Sequence, residues 1–206
     1  MRALLFLLLF VPVSAIAAGE LVYVPESPQT VTGFSEPTVE QYFYGELTDY
    51  PHTFTFRVTE PTELNVLVSI PKNSEYKKSI IVVREEKRGV SEIGRVTYKE
   101  TSWTDMFDWR LGRGFLDAEQ FTAQVEAGTY RLEVSSPDNH GKYKLRVGTE
   151  KNRQWFFTRL KERAAGASFF GNSWLAALRA PLVSLTLTLV LVLGYFVVRW
   201  LRRRHG

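Results

Sequence analysis

The stretch FTAQVEAGTYRLEVSSPDNHGKYKLRVG, residues 121–148, decides the fold. Two runs in it alternate with period two. Tyr130, Leu132 and Val134 oppose Arg131, Glu133 and Ser135, and Tyr143, Leu145 and Val147 oppose Lys144 and Arg146. A strand points successive side chains to opposite faces, so each run reads as a half-buried β-strand. Ala127-Gly128 joins Phe121–Glu126 tightly to Thr129–Ser135, with a glycine free to take positive φ. Pro137-Asp138-Asn139-His140-Gly141 closes the next hairpin with residues that favour turns.

Upstream, the same signals recur at short intervals. They predict strands at Tyr42–Leu47, Thr53–Val58, Glu63–Ile70, Ser79–Glu85 and Arg95–Lys99. Seven or eight short strands, each with one apolar face, predict a mostly β protein: an antiparallel, jelly-roll-like β-sandwich over residues 41–150. Residues 18–40, broken by Pro25, Pro28 and Pro37, read as an extended arm with one short strand at Leu21–Val24. Positions 101–120 (TSWTDMFDWRLGRGFLDAEQ) fit neither period and read as a long aromatic loop across one end of the sandwich.

The run Val125-Glu126-Ala127-Gly128-Thr129-Tyr130-Arg131-Leu132-Glu133-Val134, followed by Gly141-Lys142-Tyr143-Lys144-Leu145-Arg146-Val147, resembles the bacterial pre-peptidase C-terminal domain family. That family's pattern is an aGtYxlxV strand followed by a GxYxLxV strand. Phe54-Thr55-Phe56 and Leu64-Asn65-Val66-Leu67-Val68 are similar to its early strands. The resemblance covers about residues 42–148. It implies a jelly-roll-like sandwich that accompanies other domains, often in adhesive or carbohydrate-binding roles.

The two ends address the chain to a membrane. Met1-Arg2, an apolar run over Ala3–Val13 and the small residues Ser14-Ala15-Ile16-Ala17 describe a signal peptide, residues 1–17. Residues 180–198 carry no charge, and nineteen residues at ~1.5 Å rise match the hydrocarbon thickness of a bilayer. Trp174 on one side and Trp200 on the other suit the interface, and Arg199, Arg202, Arg203 and Arg204 place the tail 199–206 in the cytoplasm. The expected location is a cell membrane, crossed once, with the sandwich outside, periplasmic or extracellular.

Residues 151–173 carry five basic residues against Glu162. With Trp155, Phe156 and Arg159 they read either as a basic, aromatic helix on the membrane surface or as a stalk packed on the sandwich.

The chain has 26 Lys+Arg against 22 Asp+Glu, a formal net charge of +4. One basic residue precedes position 19 and five follow position 173, while every acidic residue lies between. The positive excess therefore records topology, and no nucleic-acid partner is expected.

Sequence chemistry points away from catalysis. The three histidines, His52, His140 and His205, form no HExxH, and the chain has no cysteine for a metal or a disulfide framework. No cofactor and no metal are expected. A calcium site built on Asp105, Asp108 or Asp117 matches no spaced acidic loop. The ligand-binding candidates are Trp103, Phe107 and Trp109, whose rings offer a stacking surface, with Asp138 and Asn139 at the last hairpin. The function expected is a non-enzymatic, single-pass envelope protein displaying a sandwich that recognises or scaffolds a protein or carbohydrate partner. An accessory subunit of a membrane complex and a membrane-tethered hydrolase using the Asp-rich loop stand as alternatives.

Overall fold

The period-two alternation becomes two facing sheets in a computed structural model, which describes residues 20–23, 31–151, 156–172 and 181–205. The first sheet runs in the order β1 (Glu20–Tyr23), β3 (Gln41–Thr48), β12 (His140–Val147), β5 (Thr62–Pro71), β9 (Arg113–Asp117), β8 (Thr104–Asp108). The second runs β2 (Val31–Phe34), β4 (His52–Val58), β11 (Gly128–Ser135), β6 (Ser79–Glu86), β7 (Gly89–Val96). The free edge of β5 is shared: β10 (Phe121–Val125) pairs with Thr62–Val66, and β9 with Ser69–Pro71. Pairing is antiparallel except at two edges, where β1 joins β3 and β2 joins β4 in parallel. The result is a mostly β, sandwich-like fold with antiparallel sheets.

The alternating apolar positions meet between the sheets. Phe43, Phe54, Leu64, Val68, Leu132 and Leu145 are among its wholly buried side chains; Phe34 stacks on Phe56 at 4.8 Å and tilts against Phe43 at 5.2 Å, and Phe43 meets Phe54 edge-to-face at 5.1 Å. Tyr143 spans this core to hydrogen-bond His52 Nδ1 at 2.7 Å.

The connection at 137–141 is not a hairpin turn: it crosses from β11 in the second sheet to β12 in the first, and Gly128 opens β11 opposite Val58 and is not a positive-φ turn residue. Three elements also differ from the sequence reading. The arm supplies β1 and also β2, which the proline spacing concealed. The strand expected at Arg95–Lys99 lies earlier, as β7. Its apolar positions Val90, Ile93 and Val96 recur at intervals of three, because a register shift opposite Val82/Val83 breaks the alternation. The segment 101–120 is not a loop. It folds into the β8–β9 hairpin, whose turn is closed by Asp108 Oδ1 accepting from Arg110 N at 2.9 Å and by Gly112 at φ 64°.

Two helices follow, α1 (Phe156–Phe169) and α2 (Pro181–His205). The C-terminal half of α1 packs on the outer face of the first sheet. There Ala167 and Phe170 are buried, and Phe170 joins Tyr42, Tyr44, Leu111 and Phe115 in a second apolar cluster. The backbone approach is close at Gly166, where a Cβ would lie 2.4 Å from Tyr44 Cε2. Of the two readings for 151–173, the contacts are those of a segment packed on the sandwich. Residues 1–17, Trp155 and Trp174 lie outside the described residues, as do the side chains of Phe156, Arg159, Arg202, Arg203 and Arg204.

Among the described residues no helix is long and apolar enough to cross a membrane. Of the charge-free run 180–198, side chains are described at 188–197.

Strand register fixes which ends of the sheet are which. Val147 pairs with Val66, Lys144 with Ser69, and Pro71 with Phe115, so the β8–β9 turn lies beyond the His140 end of β12. Glu150 lies past the opposite end. From there α1, fourteen residues and so ~21 Å long, carries the chain back to the hairpin, where Lys142 Nζ meets the Phe169 carbonyl at 2.7 Å.

Candidate functional site

Two surfaces remain after the core is accounted for, one at each end of the first sheet.

The first is the β8–β9 hairpin. Its outer face is tied down by an ion pair: Lys144 Nζ lies 2.8 Å from Asp108 Oδ2, and both side chains are nearly buried. Burial by itself raises the Asp108 carboxyl, but the Lys144 and Arg110 charges outweigh it and hold the group down at about 2. Arg110 lies with its guanidinium 4.2 Å from the Tyr42 ring centre. Burial pushes the Tyr42 hydroxyl up to about 12 despite that cation, with its hydrogen bond to Glu40 acting in the same direction as burial.

The other face of the hairpin leaves an aromatic side chain uncovered near the turn. Asp105 pairs with Leu116 and Phe107 with Gly114, so Phe107 stands on the face that carries Leu116 into the core, but nearer the turn. It is exposed there, edge-to-face with Trp109 at 4.6 Å, and Trp109 is 58% exposed.

The sequence candidates therefore separate. Phe107 and Trp109 form one exposed pair. Trp103 does not join them: it packs against the main core, donates Nε1–H to the Tyr98 carbonyl at 3.3 Å and lies under Lys77. Asn139 is spent on its own turn, at φ 46°, with Oδ1 accepting from Ser136 N at 3.1 Å; Asp138 is exposed beside it.

The carboxylates of the hydrolase alternative are also divided. Asp105 and Asp108, three apart on a strand, face opposite sides; Asp105 pairs with Lys72 and Asp108 with Lys144. They form no acid–base couple, and Asp108 is already committed as the anion of the ion pair. No group of three His, Asp or Glu suited to a metal occurs among the described residues. His52 is buried, and burial lowers it to about 4. Lys78 is wholly buried, donates to the Tyr76 and His140 carbonyls, and is lowered by burial to about 8.

The second surface is an open groove of about 730 Å³ at the Glu150 end, lined by Phe34, Pro37, Arg57, Glu36, Glu60 and Glu150 among others. Three carboxylates against one guanidinium make it acidic. Its wall is built by hydrogen bonds: Gln41 Nε2 donates to the Ser35 and Glu36 carbonyls, and Thr149 and Glu150 both donate to the Thr38 carbonyl at 2.9 Å. None of these residues stands out in the sequence, since the groove joins segments over a hundred positions apart.

No family model matches the sequence, and no curated protein sequence matches it. Among solved structures the chain is similar to the pre-peptidase C-terminal domain of collagenase from Bacillus anthracis, at 14% identity and TM-score 0.38, over 59% of this chain and 97% of that one. The chain resembles a pre-peptidase C-terminal domain. It is also similar to the Yersinia pseudotuberculosis-derived mitogen, at 10% identity and TM-score 0.39, over 56% of this chain and 89% of that one. A periplasmic inhibitor of g-type lysozyme from Aeromonas hydrophila shares 16% identity at TM-score 0.32, over 64% of this chain and 98% of that one. At these TM-scores no residue role passes from neighbour to chain.

Proposed function

We propose that this chain is a non-enzymatic, single-pass membrane protein that holds a β-sandwich binding or scaffolding module outside the cytoplasmic membrane. One observation carries the anchoring. From Thr188 to Val197 every residue of α2 is exposed, none is charged, and eight are large hydrophobics. Ten consecutive residues cover the whole circumference of a helix with about 3.6 residues per turn. A helix apolar all round belongs in a protein core or in lipid, and these residues have no core.

With α2 in the bilayer and the arginines of 199–204 on its cytoplasmic side, the sandwich is outside. The chain leaves the sandwich beside the β8–β9 hairpin, so the acidic groove faces away from the membrane. That makes the groove the surface offered to a protein or carbohydrate partner.

Topology mapping tests the reading. The chain has no cysteine, so Arg88→Cys and Gly206→Cys each introduce a single thiol. In intact cells stripped of any outer barrier, a membrane-impermeant maleimide should label position 88 and leave 206 unlabelled until the membrane is opened. Labelling at 206 from outside, or release of the chain by alkaline carbonate, would sink the proposal.

A further inference from the structure

We propose that the β8–β9 hairpin is itself a membrane-surface contact: Met106, Phe107 and Trp109 seat in the headgroup region of the bilayer that holds α2, and so fix the sandwich with its groove outward. This rests on the reading of α2 as an anchor and adds a second, separate point of contact.

The hydrophobic surface is concentrated at this hairpin. Among the described residues of the sandwich, six large hydrophobics are exposed: Val31, Tyr76, Val90, Met106, Phe107 and Trp109. Half of them fall within four positions of one hairpin. Scattered exposed hydrophobics need no explanation, but three at one hairpin end do: Phe107 lies edge-to-face with Trp109, and Met106 stands on the opposite face of the same strand.

The occupant follows from where the chain goes next. The end of α1 is clamped to this hairpin and to β12, two strands away. Arg113 donates to the Phe170 carbonyl, Asn172 Nδ2 to the Leu111 carbonyl at 3.0 Å, and Lys142 to the Phe169 carbonyl. Asn172 and Pro181, the first residue of α2, are separated by eight residues, which reach at most about 30 Å when fully extended. The hairpin turn is therefore the part of the sandwich from which the chain departs for the anchor. An exposed tryptophan at the turn, with an apolar ring and a polar N–H, is the side-chain chemistry of a bilayer interface. The end of α1 packs on the sandwich beside this hairpin, and the hairpin keeps its own apolar side chains exposed.

A single-cysteine probe tests this in the full chain. Met106→Cys carries an environment-sensitive fluorophore next to an intact Phe107–Trp109 pair, and Arg88→Cys carries the same probe at the groove end. Both are reconstituted in phosphatidylcholine/phosphatidylglycerol vesicles with and without headgroup-proximal nitroxide lipid. The expected result is quenching by nitroxide lipid at 106 and several-fold weaker quenching there by aqueous iodide than at 88. Adding Phe107→Ser and Trp109→Ser should make position 106 as iodide-accessible as 88. Equal accessibility at 106 and 88 in vesicles that retain the chain through carbonate overturns the hairpin contact and leaves the anchor standing. Shielding at 106 without nitroxide quenching also overturns it, since a protein surface would then be the cover. Loss of the chain on carbonate extraction fails the anchor reading, and this proposal with it.

Discussion

Lys144 and Asp108 face each other at 2.8 Å, both nearly buried, on what the alternation of β12 marks as the polar side of the sheet. Breaking a nearly buried pair from one side strands the other charge, at a cost of about 3–5 kcal/mol. Asp108→Ala should therefore lower the unfolding midpoint of the detergent-solubilised chain sharply. Adding Lys144→Met should recover most of the loss. Additive costs in the double variant, read from thermal melts by circular dichroism, would refute the coupling.

Acid should destabilise the protein in two stages. The folded state keeps His52 neutral down to about 4, whereas an unfolded histidine protonates near 6.5, so the unfolded chain binds more protons between those values. Stability should fall by about 3 kcal/mol as pH drops through that window. Asp108 adds a further loss as pH falls from its ordinary range of about 4 toward about 2. His52→Phe should flatten the first stage alone, whatever its cost at neutral pH; an unchanged slope in denaturant midpoints between pH 6.5 and 4 would assign that stage elsewhere.

Gly166 is where α1 touches the sheet. A Cβ there meets Tyr44 at 2.4 Å and Leu111 at 2.9 Å, so Gly166→Ala should lift the end of α1. Amide exchange should rise in 161–172 while the inner strands β5 and β11 stay protected. Exchange rising in both alike would mean that α1 and the sandwich unfold as one unit.

The groove wall depends on Gly148, which has φ 79° and whose added Cβ would sit 2.4 Å from the Val39 carbonyl oxygen. Gly148→Ala should cost at least about 1–3 kcal/mol from backbone strain, with the steric conflict in addition. An unchanged midpoint would show that segment 38–39 yields freely.

The two tryptophans of the hairpin region should behave differently. Trp109→Ala is expected to leave the unfolding free energy within about 0.5 kcal/mol of the parent, being exposed and free of the core. Trp103→Ala should cost more, because it removes packing on the core and the hydrogen bond to Tyr98. Equal effects would contradict the separation of these side chains.

The sequence by itself determined the sandwich and most of its strands. Alternation is a local property: Tyr130, Leu132 and Val134 share a face in any strand, and Asn139 suits a turn before any tertiary contact exists. The charge-free run 180–198 is equally local. What tertiary structure decided was the meaning of the other face. Lys144 lies opposite Tyr143 and Leu145 in the pattern and so reads as solvated, yet it is buried over the Phe115 ring and an aspartate thirty-six positions away neutralises it. A sign of this was present in Gln41-Tyr42-Phe43-Tyr44, where neighbours on both faces are large and all are buried. The fates of Trp103, Phe107 and Trp109 were not legible, since three nearby aromatics look alike until a hairpin carries one to the core and the others to its tip. The groove was least visible of all. Its walls come from residues near 36, 60 and 150, and only the pairing of distant strands brings them together.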